Sequence, residues 1–194
     1  MIMRFATLPV AGLLAVSAIF VCQAHAEQNA MLGAVEAKIR ASYASIPHMT
    51  SAEYEALEAS GERIVLLDAR SKEEFAVSHL PGAHYVDPGI WKWSFRNAYG
   101  SDLKGKKVVI YCAVGARSSN LASRITDIAK EAGATGIYNL EGGIFRWHNE
   151  GRPLVGPNGK TDEIHPYDEN NSRLIDRKDL IAYTPGGSKR AKAN

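Results

Sequence analysis

The 194-residue sequence carries 23 Lys and Arg against 21 Asp and Glu, and this +2 balance excludes a broad electrostatic grip on nucleic acid or acidic membranes. Hydrophobic residues at 45% and charged residues at 23% supply enough apolar material for one packed core and exclude general disorder. Two cysteines, with no C-x-x-C and no paired Cys/His cluster, exclude a disulfide scaffold, a zinc finger and a thioredoxin-like dithiol.

Residues 1–26 have the three-part layout of a secretory signal: Arg4, an uncharged apolar run from Phe5 to Val21, then Ala24-His25-Ala26. Cleavage after Ala26 and a periplasmic address are expected, with an uncleaved anchor as the alternative because the run reaches the lower edge of a membrane span. Cys22 follows Ile19-Phe20-Val21, which is unlike a lipidation site, so the mature chain keeps a single cysteine, Cys112, and no stable membrane insertion. An unpaired thiol in an oxidising compartment needs a reason. Without one, it is a small buried hydrophobe.

From Glu27 to Tyr43 the apolar positions Met31, Leu32, Val35, Ile39 and Tyr43 recur at helical spacing, giving an amphipathic helix over 27–45 that packs on the domain. Thr50 and Glu53 form a capping-box pattern that opens a second helix, stopped by Gly61. Ile64 to Asp68 is a continuous aliphatic run ending in an acid, the pattern of a parallel strand buried on both faces. Ser71 to Ser78 reads as a helix, Ala83 to Val86 as a strand, and Lys106 to Tyr111 as the strand that delivers the chain to Cys112. The stretch from Asp87 to Gly105 has no firm assignment, and its aromatics Trp91, Trp93, Phe95 and Tyr99 are expected to cover a core edge rather than line a ligand entrance. Ser118 and Ser119 are expected to cap a helix whose Leu121, Ala122, Ile125, Ile128 and Ala129 share one face. Gly136 to Leu140 is a strand, Gly142-Gly143 a turn, and Ile144 to Asn149 a short helix. Residues 155–194 lose periodicity and form an irregular tail, with Leu174 to Ala182 as a local element, a fraying end, and docking on the domain or on a protein partner.

Strands alternating with helices from Thr50 to Gly151 define an α/β fold whose ligand site lies beyond the carboxyl ends of parallel strands. Cys112 stands at that edge. The loop Cys112-Ala113-Val114-Gly115-Ala116-Arg117 runs into a helix, so main-chain N–H groups and the positive helix end can converge on the sulfur, favouring its charged form. The alanines and the valine bring no charge or acid–base group. Chemistry there falls to the sulfur, the amides and one guanidinium, with the sulfur accessible to solvent.

The segment Tyr111-Cys112-Ala113-Val114-Gly115-Ala116-Arg117-Ser118-Ser119 resembles the C-x-x-G-x-R-S active-site loop of single-domain rhodaneses. Two further stretches agree: Asp68-Ala69-Arg70 with Glu73-Glu74-Phe75 and Ser78-His79-Leu80-Pro81-Gly82-Ala83, and Asn139-Leu140-Glu141-Gly142-Gly143-Ile144 with Trp147. The resemblance covers about residues 46–154 and implies a rhodanese-like parallel sheet flanked by helices, with the leading helix and the tail as additions. It implies sulfur transfer through a persulfide on Cys112, from a small anionic donor such as thiosulfate to a thiol or cyanide-like acceptor, with Ala113, Val114, Gly115, Ala116, Arg117 and Ser118 around the substrate. Arg117 would orient the loop, attract the donor, or both. Asp68 and Arg70, beside the loop in that family, are either its support, an ordinary strand-end ion pair, or direct substrate contacts. His79 belongs to a motif that closes a turn in that family, which implies a packing role, and no cofactor or metal is expected, His48, His84, His148 and His165 lacking metal-ligand spacing. The departure at Ser78, where the family has Gly, does not touch the sulfur.

A phosphatase-like or arsenate-reducing enzyme would need C-x5-R, one residue more than the C-x4-R from Cys112 to Arg117. The remaining rival is a non-catalytic sulfur carrier, redox sensor or partner-binding module on the same fold.

Overall fold

The structure is a computed structural model that describes residues 29–189. The signal segment expected over 1–26 and the fraying end expected at the C-terminus lie outside the described residues.

A helix over 29–42 (α1) leads the described chain and, of the expected stripe, buries Leu32 and Ile39 and half-buries Val35, while Met31 is exposed. It is tied down by Glu36, which takes two hydrogen bonds from Arg146 at 2.8 and 2.9 Å, and by the ion pair of Arg40 with Glu141. The chain then forms β1 (His48–Met49), α2 (Ser51–Ala59), β2 (Ile64–Asp68), α3 (Lys72–Val77), β3 (His84–Tyr85), α4 (Lys92–Tyr99), β4 (Lys107–Tyr111), α5 (Ala116–Glu131), β5 (Gly136–Leu140) and α6 (Gly143–Asn149). Capping boxes start α2 at Thr50 and α3 at Ser71, each with a glutamate three residues on returning a hydrogen bond to the cap.

Five strands make one parallel sheet in the order β1-β5-β4-β2-β3. Its central strands are apolar on both faces because helices cover both. Val65, Leu67, Val108 and Ile110 pack on one side with Phe95 of α4 and Leu121 and Ile125 of α5. Leu66, Val109 and Tyr111 pack on the other with Leu32 of α1, Tyr54 of α2 and Phe145 of α6. All the strands point the same way, so the ends of β2, β4 and β5 share one edge, with Asp68 opposite Tyr111.

The tail is ordered where it meets this second layer. A hairpin of β6 (Leu154–Gly156) and β7 (Gly159–Thr161), a short helix α7 (Glu169–Ser172) and a 3-10 turn at Lys178–Leu180 are linked by irregular chain. Leu154, Ile164, Leu174 and Ile175 lie in the same core as Ile144 and Phe145. The hairpin is fastened to the turn after α3 by paired backbone bonds between His79 and Val155.

Two local expectations are corrected. The unassigned aromatic stretch forms α4; Phe95 and Tyr99 pack on the core edge as expected, whereas Trp91 and Trp93 are exposed at 81% and 67% and border an open cleft with Arg124 of α5. The helix after the loop is not capped by Ser118 or Ser119. Its N-cap is Gly115 at φ 105°, and the Ser119 hydroxyl turns back to the Gly115 carbonyl at 2.7 Å.

Candidate active site

Cys112 is the first residue beyond β4, at the carboxyl edge of the sheet. The chain must turn there from a strand into the first turn of α5 within a few residues, and Gly115 makes this possible by taking a left-handed conformation that disfavours side chains. Its N–H donates to the Cys112 Sγ at 3.2 Å. The amides of the first turn of α5 have no carbonyl one turn back within the helix, so this end of the loop carries unspent donors and the positive end of the helix dipole.

The loop is gripped from behind. The N–H of Ile144 donates to the Cys112 carbonyl at 2.9 Å and that of Phe145 to the Ala113 carbonyl at 3.0 Å. This approach requires glycine at 143: its φ is 54°, and a Cβ would collide with the Cys112 carbonyl oxygen and lie 2.7 Å from that of Ala113. Asn139, at the end of β5, accepts a hydrogen bond from the Ser118 hydroxyl at 2.6 Å and contacts His48 Nδ1 at 3.1 Å. Ser118 is fully buried. Its hydroxyl braces α5 instead of facing the cavity.

Arg117 is held by Glu74 in a bidentate pair at 2.7 and 2.8 Å. Burial works against the Arg117 cation, but hydrogen bonding to Glu74 and the nearby Cys112 sulfur outweigh it and raise its pKa. Burial pushes the Glu74 carboxyl up, but Arg117 and the Ser71 amide, which donates to it at 2.9 Å, bring it below its ordinary value. Glu74 is read from sequence only as part of the Glu73-Glu74-Phe75 motif, with no role at the site. Its signal was there: a first-turn glutamate that closes a capping box, one helix away from the loop's lone cation.

Asp68 and Arg70 have no exposed surface. Arg70 donates to both Asp68 oxygens, its closest approach 2.7 Å, and to the Ser78 carbonyl at 2.6 Å. Burial would lower the Arg70 pKa, and the facing Asp68 charge raises it instead. The Ala69 N–H donates to the Tyr111 carbonyl at 2.8 Å, so this pair fixes the strand end that launches Cys112. It lies under the site, out of reach of a ligand in the cavity. His79, stacked on Phe75 at 3.9 Å, closes the turn before the tail hairpin.

A cavity of about 150 Å³ opens on the sulfur, lined by Cys112, Ala113, Val114, Ala116 and Arg117 from the loop and by Tyr167 and Asn171 from the tail. Gly115 and Ser118 do not line it. Cys112 is only 1% exposed, which corrects the expectation of an open sulfur: the tail roofs it, and this cavity is its approach. The Tyr167 ring centroid sits 4.7 Å from the Arg117 guanidinium carbon. Nothing in the tail's composition signalled these two residues. A roomier cavity of about 530 Å³, bordered by Tyr54, Tyr85 and Lys106, contains no part of the loop. Among the described residues no group of three or more His, Cys, Asp or Glu is placed to hold a metal ion.

Residues 50–150 match the rhodanese-like domain family. The chain belongs to that family. A sulfurtransferase of Allochromatium vinosum is 31% identical over 102 residues, covering 52% of this chain and 87% of that protein. A tRNA uridine(34) hydroxylase of Burkholderia ambifaria is 35% identical over 95 residues, 47% of this chain and 31% of its own length. This rhodanese-like chain spans about a third to a half of the length of several curated relatives it matches. A thiosulfate sulfurtransferase of Pseudomonas aeruginosa shares the fold at a TM-score of 0.51 and 21% identity, covering 74% of this chain and 26% of that one.

Proposed function

We propose that this rhodanese-like protein is a sulfurtransferase that carries sulfane sulfur on Cys112. In the first half-reaction the Cys112 thiolate attacks the outer sulfur of a donor such as thiosulfate. The sulfur–sulfur bond of the donor breaks, sulfite leaves with the electron pair, and Cys112 becomes a persulfide. In the second, cyanide or a thiolate attacks the outer sulfur, and the Cys112 thiolate departs. The Gly115 N–H donates to the sulfur and the positive end of the α5 dipole lies behind it, favouring the negative charge that the sulfur carries before and after transfer, so no neighbouring base is required. Arg117, held by Glu74, keeps the loop in shape and adds a positive charge beside the sulfur.

The observation that carries this reading is the Cys112 sulfur at the base of a small cavity, receiving the Gly115 N–H at 3.2 Å. The test is incubation of the purified chain with thiosulfate and cyanide, and again as Cys112→Ser. Thiocyanate production and a mass gain of one sulfur atom on the unsubstituted chain, both abolished in the variant, are expected. The 1% exposure of Cys112 favours one second reading, a non-catalytic sulfur carrier, which would form the persulfide but release no thiocyanate.

We further propose export to the periplasm, resting on the signal pattern of residues 1–26. Cell fractionation with N-terminal sequencing tests it, and a mature chain starting at Glu27 is expected. Among the described residues no helix is long and apolar enough to cross a membrane.

A further inference from the structure

The cavity over Cys112 has walls of two origins. Ala113, Val114 and Ala116 come from the loop, whereas Tyr167 and Asn171 come from tail residues beyond the family match at 50–150. Tyr167 has φ 69°, and among the described residues it is the one non-glycine position with positive φ. An aromatic residue holds that conformation only where its surroundings impose it. Here they do. The Tyr167 N–H donates to His165 Nδ1 at 3.0 Å, and Asp168 accepts from the Asn171 N–H at 2.7 Å and from the Asn171 side-chain amide at 2.8 Å. Upstream, Ile164 exchanges backbone bonds with Leu180 and Ala182, both at 3.0 Å. The Glu163 carboxylate collects the N–H groups of Gly186 at 2.6 Å and Ser188 at 2.9 Å.

The roof is therefore a built part of the fold, and it sets what can approach the sulfur. Glu74 occupies the two terminal nitrogens of the Arg117 guanidinium and Tyr167 lies over it, so the cation is already engaged on two sides. Selection between donors then falls on size. The cavity's 150 Å³ is about half the lower bound of ordinary small-molecule pockets. Thiosulfate, an anion of about five heavy atoms, matches that space. Tyr167 and Asn171 narrow that approach for a tripeptide persulfide, which is far bulkier than a five-atom anion.

We propose that Tyr167 and Asn171 are specificity-determining residues that restrict persulfide formation on Cys112 to small inorganic sulfur donors and exclude peptide-sized ones such as glutathione persulfide. This rests on the sulfurtransferase reading. With either donor the same bond forms, from Cys112 to the outer sulfur, and what leaves is sulfite or glutathione thiolate.

The test compares single-turnover persulfide formation, read by intact mass, with thiosulfate and with glutathione persulfide. Tyr167→Asn removes the ring but keeps a residue that tolerates positive φ. The ratio of the glutathione persulfide rate to the thiosulfate rate is expected to rise about tenfold, a size discrimination of the magnitude pockets achieve. Tyr167→Phe, which keeps the ring, should retain the wild-type ratio. An unchanged ratio in Tyr167→Asn, or an equal rise in Tyr167→Phe, overturns the proposal. If Tyr167→Asn does not fold, Asn171→Ala is read the same way. Alkylation of Cys112 by iodoacetamide and by a fluorescein maleimide supplies a readout without sulfur transfer: removing the ring should accelerate the bulky reagent more than the small one. Equal acceleration overturns the size limit. Absence of persulfide with both donors removes the sulfurtransferase reading and leaves the alkylation ratio to decide the gate.

Discussion

Arg117 and Glu74 join the first turn of α5 to the first turn of α3 through two hydrogen bonds at 2.7 and 2.8 Å, with the carboxylate side chain 2% exposed and the guanidinium 27%. One carboxylate thereby fixes the loop's cation and closes the capping box of its own helix. Glu74→Gln and Arg117→Ala should each destabilise the fold by about 2 kcal/mol and lower turnover about tenfold, because either leaves a largely desolvated partner. The double variant should cost little more than either single one, since the two changes remove the same interaction. Urea unfolding and thiocyanate production measure both effects.

The depressed Glu74 carboxyl sets a pH direction for that pair. A carboxyl whose folded value lies below its unfolded one contributes stability above the unfolded value, near 4.3, and loses it as the pH falls through the folded value. The stability gap between wild type and Glu74→Gln should therefore be full at neutral pH and shrink below about pH 4. A gap independent of pH would show that charge on Glu74 contributes nothing.

Arg70→Met should destabilise the protein by about 3–5 kcal/mol by leaving the Asp68 charge buried and uncompensated. The protein that remains folded should keep its KM for thiosulfate, because neither residue lines the cavity. A large rise in KM with intact stability would return this pair to a direct substrate role.

Gly143→Ala should cost about 2–4 kcal/mol and weaken persulfide formation, since its methyl group must displace the Cys112 and Ala113 carbonyls from the α6 amides. Comparison of its far-ultraviolet circular dichroism with its persulfide yield separates loop displacement from global unfolding.

His148, on α6, is buried against the tail, with Nε2 3.0 Å from the Asp162 carbonyl and Nδ1 without a hydrogen-bond partner. Burial, then the nearby Arg177 charge, lowers its pKa to about 4. The unfolded chain thus binds a proton that the folded chain rejects between about pH 6.5 and 4, and stability falls across that window as the pH drops, by up to about 3 kcal/mol. His148→Gln should flatten the slope there. Thermal unfolding at several pH values checks it.

Much of the fold is legible in the residue pattern because its signals are local. Ile64 to Asp68 and Gly136 to Leu140 are strands at the bounds their aliphatic runs dictate, and Leu121, Ala122, Ile125, Ile128 and Ala129 are all buried on α5. The cap of α5 was not legible: two serines offered themselves, but the sharp turn at Cys112 needs the left-handed Gly115 there. The loop's identity could be read from Cys112, Gly115 and Arg117, whereas its partners could not. Glu74 meets Arg117 across 43 positions of sequence, a contact made only by bringing two strand ends to one edge. Tyr167 and Asn171 lay further beyond reach. They sit in chain without periodicity, held by backbone and capping bonds that leave no mark in hydrophobic pattern.

The insertion of Leu154, Ile164, Leu174 and Ile175 beside Ile144 and Phe145 fixes where this chain can be divided. Trimming it to the family boundary at 150 would strip an apolar seam bare on the α6 side and promote aggregation. A graft of the Cys112 loop onto another scaffold must therefore bring the stretch up to Ser188 as its own outer wall.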